Sequence, residues 1–132
     1  MAVEFALLVP VLVLLFGLVV GGARVWLARG ATDQAAAAAA RGASVERSVV
    51  DAERAGRELA QAQVAASGLR CGRLAVTVRA AALGQVAGTP GRVETTVTCS
   101  VPMADLLVPG WPGAIDVTGR ASAVVDRYRG RE

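Results

Sequence analysis

The 132-residue chain contains no histidine and no lysine; all fourteen of its basic residues are arginine. Without histidine there is no imidazole general base, no Ser–His dyad and no His-ligated metal. Without lysine there is no phosphate-loop lysine and no Schiff-base amine. Asparagine is also absent, so there is no N-glycosylation acceptor. Two cysteines are too few for a four-cysteine metal site, and no C-x-x-C occurs, which argues against redox catalysis. No metal and no cofactor is therefore expected. The net charge is only +3, with the arginines scattered among eleven acids. The short Arg127-Tyr128-Arg129-Gly130-Arg131 tail is a weak basic run, so nucleic acid is not an expected partner.

What the chain has is apolar content of 54%, unevenly placed. Between Glu4 and Arg24 lie nineteen uncharged residues, FALLVPVLVLLFGLVVGGA. As a helix they rise roughly 28 Å, close to the ~30 Å hydrocarbon core of a bilayer. They show no polar stripe of the kind a soluble core helix carries. The segment reads as a membrane-spanning helix, with the lipid bilayer as a partner; a cleaved secretory signal fits poorly, because no basic region precedes the long apolar block. Pro10 removes one backbone donor inside this helix and is expected to kink it. Gly17 and Gly21 form one G-x-x-x-G pair that allows a neighbouring helix to approach closely, although glycine is also simply common in such helices. Arg24 and Arg29 follow the span, and by the positive-inside rule alone they place the C-terminal part in the cytoplasm. The cysteines argue for the opposite side.

Beyond the span, helix-favouring composition continues through six consecutive alanines, Ala35 to Ala40, to Arg41, with Gly42 as a C-cap. The first helix is thus expected over about residues 3–41, with a break at Gly30 as the alternative. A second helix starts near Val49, where Ser48 and Asp51 resemble a capping box. Val45, Val49, Ala52, Gly56, Leu59 and Ala62 trace its apolar face, Glu53–Arg57 is spaced for an ion pair, and Gly68 is a stop. From Leu74 the period becomes two. Leu74–Arg79, Val93–Val101 and Ile115–Asp126 read as half-buried strands, with only Val124 breaking a polar face. Turn residues at 88–91, Pro102 and the loop 109–113 punctuate them. The fold class is α+β: a long pilin-like N-terminal transmembrane helix, a second amphipathic helix, and a small three-stranded antiparallel sheet covered by that second helix. Three segments follow: a transmembrane helix (1–29), a helical stalk with the second helix (30–70), and a small β domain with a C-terminal tail (71–132).

Cys71 lies just before the first strand and Cys99 near the end of the second. Alternation places Cys99 opposite residue 72, so a bulge at Gly72 brings Cys71 into reach. A disulfide there requires an oxidising compartment, hence a domain outside the cytoplasmic membrane; two buried free thiols are the alternative.

Glu4 stands at the head of the apolar helix, where a carboxylate needs a partner if it enters hydrocarbon. One account leaves it in the headgroup layer, favoured by the helix dipole. The other pairs it with a positive group on another chain, such as a free α-amine. The segment Met1-Ala2-Val3-Glu4-Phe5-Ala6-Leu7-Leu8-Val9-Pro10 resembles the N-terminal signature of TadE-like proteins, the pseudopilins of tight-adherence (type IVc) pilus systems. Thr98-Cys99-Ser100-Val101-Pro102, the Val108–Gly113 loop and Ala123–Tyr128 are similar to the actinobacterial members. The resemblance implies a basic leader cut by a prepilin peptidase, a helix that stays in the membrane, an outward-facing C-terminal domain, and an assembly role for Glu4 and Phe5. The family glutamate falls at mature position five; here it is the fourth residue, and one further residue plus a leader restores the pattern.

The function expected is therefore a non-enzymatic structural component, a TadE-like minor pilin or assembly factor. Its partners would be other pilin or pseudopilin subunits and the pilus assembly machinery. The alternative is a membrane-anchored extracytoplasmic binding module using Trp111. An enzyme acting through Glu94 and Asp116 is disfavoured, because carboxylates on open strand faces are ordinarily solvated.

Overall fold

The computed structural model describes residues 1–85, 90–106, 110 and 112–125. Helix α1 spans Ala2–Ser44, 43 residues without interruption, about 65 Å at the standard rise. It does not break at Gly30, because packing on the residues that follow outweighs the ~1 kcal/mol helix cost of one glycine. Nor does it end at Gly42; its C-cap is Val45. Gly42 serves a different purpose: a Cβ there would overlap the Leu59 side chain, so its absence lets the second helix approach.

Helix α2 spans Val49–Ala66, and its N-cap is Ser48, whose hydroxyl accepts the Asp51 N–H at 3.1 Å. Ser48 Oγ also donates to the Asp51 carboxylate at 2.7 Å. The Ser48 half of a capping box is thus present, with the Asp51 carboxylate returning to the Ser48 hydroxyl and not to its backbone N–H. Ser67 caps the C-terminus, and Gly68 follows with φ +73°, the left-handed turn expected of a stop. The buried face differs from the sequence expectation: it is Ala52, Gly56, Ala60 and Val64, whereas Val45 and Leu59 are exposed. A straight i+4 ridge of small residues fits against α1, while Leu59 lies over Gly42 at its edge and stays partly exposed. Arg54 pairs with Asp51 at 3.7 Å; Glu53–Arg57 forms no ion pair.

Three strands, β1 (Arg73–Arg79), β2 (Arg92–Pro102) and β3 (Ala114–Val124), form an antiparallel sheet in the order β1-β2-β3. Short 3-10 turns, Ala81–Gly84 and Ala104–Leu106, follow the first two. The period-two reading holds. Val93, Thr95, Val97, Cys99 and Val101 are buried along β2, with Val78, Val117 and Gly119 from the flanking strands. Val124 is exposed on the wet face, as the alternation requires.

The sheet's main cover is not α2 but the C-terminal half of α1. Ala28, Thr32, Ala35, Ala36, Ala39, Ala40 and Ala43 are all at most 1% exposed. Ala35, Ala36 and Ala39 pack with Ala60, Val64 and Val97; Ala28 packs with Cys99, Val101, Met103 and Val117. The buried Thr95 hydroxyl donates to the Ala36 carbonyl, tying the sheet to the helix. A Cβ on Gly119 would run into the backbone of Thr32 and Asp33. The alanine run is the reason: one-methyl side chains let a sheet lie almost on the helix backbone, which α2, with its charged flanks, cannot offer. Helix α2 packs beside it, on α1 and β1.

Cys71 and Cys99 are joined by a disulfide, with Cα atoms 5.3 Å apart. The register is not the one inferred: Cys99 lies opposite Leu74, not residue 72, and no bulge is needed. The Gly72 N–H donates to the Ser100 carbonyl at 2.8 Å, ahead of the ladder. Cys71 precedes β1 and comes in beneath the sheet with Leu69 and Leu74, reaching Cys99 from the inner face.

Candidate functional site

Two surfaces stand out from this architecture. The first is the N-terminal half of α1, whose large apolar side chains are exposed. Phe5, Leu7, Phe16 and Val19 are each about two-thirds or more exposed. The helix is long and apolar enough to cross a membrane. Exposure of so many large apolar side chains in water is untenable for a soluble monomer; in lipid it costs nothing. Glu4 occupies the first turn at the tip, where Met1 offers no side-chain cap. Among the described residues Glu4 has no ion pair, and Phe5 projects freely. Pro10 lies inside the continuous helix. Gly17 and Gly21 are one turn apart and both buried. They lie roughly 20 and 26 Å along the axis from Glu4. The helix thus keeps Glu4 and the glycine pair apart.

The second surface is where α1 leaves the apolar stretch and joins the domain. Arg24 forms an ion pair with Asp105 at 2.7 Å and donates to the Pro102 carbonyl at 3.1 Å. The Arg24 hydrogen bond, and secondarily its charge, holds the Asp105 carboxyl below its ordinary range. Beside this pair an open groove of about 1270 Å³ runs between α1, the segment after α2 and the end of β2. Trp26, Arg29 and Arg70 line it. Sequence reading used Arg24 and Arg29 only for orientation and missed the groove. An exposed Trp two residues past the first charge is a readable interfacial signal. Asp105 and Arg70 are not, because only the fold brings them next to α1.

Glu94 and Asp116 lie exposed on the outer sheet face. No cluster of potential metal ligands occurs among the described residues. Trp111, residues 88 and 89 of the turn, and the Arg127–Arg131 tail lie outside the described residues.

Together these features define a class: a small disulfide-linked α+β domain carried on one helix whose length and composition fit a single membrane crossing. The model of the TadE-like protein family matches residues 1–41, the bare half of α1 and most of its alanine half, and supports assigning the chain to that family. No curated protein and no solved structure matches the chain.

Proposed function

We propose that the chain is a non-enzymatic structural component of a pilus or type II-like secretion apparatus, a minor pilin or assembly factor anchored by α1. The TadE-like family consists of pilus-associated, generally structural proteins, which supports the broader part of this reading. The carrying observation is the helix itself. Its first half leaves its large apolar side chains exposed, and it presents a carboxylate at the tip and a G-x-x-x-G pair midway. In a bilayer such a helix associates laterally through small residues and through a partner for its charge.

In this reading Glu4 meets an amine of a neighbouring subunit, with Phe5 beside it, and Pro10, Gly17 and Gly21 shape the packing surface. Functionally the chain divides into membrane helix (1–29), stalk and second helix (30–70) and β domain (71–132). The Cys71–Cys99 disulfide supports a domain on the oxidising side of the cytoplasmic membrane. A prepilin peptidase is a further partner if a leader precedes this segment. Glu4→Ala should leave the protein folded and membrane-bound but lower its incorporation into pili, read by shearing and immunoblotting the filaments. Normal incorporation would remove the assembly role from Glu4.

A further inference from the structure

The geometry points to the groove between Arg24, Arg29 and Arg70 as a binding site for the headgroup of an anionic phospholipid. This rests on the reading of α1 as a membrane anchor. The uncharged stretch rises roughly 28 Å from Glu4 to Arg24, so a bilayer that covers it has its headgroup layer at Arg24 and the turns just beyond. The groove opens at that level.

Its walls have matching chemistry. Arg24 is committed to Asp105 and the Pro102 carbonyl, which fixes the β2 end of the groove against α1. Arg29 and Arg70 reach the same groove from α1 and from the segment after α2, and among the described residues neither has an ion pair. Asp33 also lines the groove and offsets one of these charges, leaving a net positive site. At the mouth, Trp26 is 74% exposed. An exposed indole beside guanidinium groups suits a ligand with an oxyanion head and an apolar tail, because Trp settles at the membrane–water interface and Arg pairs with phosphate. A soluble anion would use the arginines but leave Trp26 stranded in water.

The test reconstitutes the full chain into phosphatidylcholine vesicles containing a minor share of phosphatidylglycerol, extracts it in mild detergent, and measures retained lipid by native mass spectrometry. The wild-type chain should retain phosphatidylglycerol above its share. Arg29→Gln combined with Arg70→Gln should reduce that enrichment about fivefold for each arginine while insertion is unchanged. Arg92→Gln with Arg120→Gln, the same charge change on the sheet, should leave it unaltered. Insertion without lipid preference, full retention by the groove variant, or equal loss in the sheet variant would overturn the site. Displacement of the lipid by excess inorganic phosphate would overturn the lipid as its occupant. Failure of the wild-type chain to enter vesicles would instead bring down the anchor reading beneath it.

Discussion

The two halves of α1 solve opposite problems with one backbone. From Phe5 to Val19 the large side chains point outward, with Phe16 72% and Leu7 71% exposed. From Ala28 to Ala43 the side chains that matter are single methyls, and they are fully covered. The first half leaves its large side chains bare, which suits hydrocarbon or neighbouring helices as its surroundings. The second half carries its own cover. Side-chain size decides which is which: large residues cannot let a sheet approach a helix backbone, and alanines cannot hold a helix in a bilayer. One consequence concerns stability. A buried alanine removes little apolar area from water at about 25 cal/mol per Å². The domain must therefore draw on close approach and on its cross-link, while the outer half, in its proposed anchor role, draws on lipid. The halves should respond independently to insult.

The largest separation is expected from the disulfide. It closes a 28-residue separation, which the loop-entropy model values at about 3–4 kcal/mol. Replacing Cys71 and Cys99 together by Ala should lower domain stability by that order in thermal unfolding followed by circular dichroism. Resistance to carbonate extraction from membranes should not change. Loss of membrane retention in that variant would mean that the two halves are not separate.

A smaller effect comes from enlarging one side chain in each half. Ala36→Leu adds bulk where the exposure is 0% and the Thr95 hydroxyl already meets the Ala36 carbonyl. Overpacking of this kind costs about 1–3 kcal/mol. Ala6→Leu makes the same enlargement at an exposed position in the outer half, and the domain's melting should not move. Equal destabilisation by both would show that the outer half is packed in the folded chain.

This division explains what the sequence made legible. The apolar run, the Ser48 cap, the three alternating strands and the solitary Val124 are local patterns, and each appears as read. The errors concern partner choice. The alanine run announced close packing but not against what, so α2 took the role of cover that α1 holds. Gly42 looked like a helix end because glycine at a C-cap and glycine under a crossing side chain leave the same mark in a sequence. Cys71 found Cys99 by passing beneath the sheet, a path that strand alternation does not encode. The unpartnered tip at Glu4 was legible as chemistry. The groove was not, since Arg24 and Asp105 are 81 residues apart.

The smallest expected effect tests the joint between the halves. Asp105 is held below its ordinary value chiefly by the Arg24 hydrogen bond. A carboxylate whose folded value is depressed contributes its full stabilisation above its unfolded value, about 3.9 for Asp. It loses that contribution as pH falls through the lower folded value. The Arg24–Asp105 link should thus be intact at neutral pH and fade only in strongly acid solution. Both side chains reach solvent, 33% and 64% exposed, so salt should weaken the pair. Asp105→Asn should therefore melt close to the parent at high salt and slightly below it at low salt and neutral pH. That gap should close as pH drops below the ordinary carboxylate range. If the gap persists there unchanged, the joint does not depend on the Asp105 charge, and the Arg24 bond to the Pro102 carbonyl is what holds the domain to the end of the apolar stretch of α1.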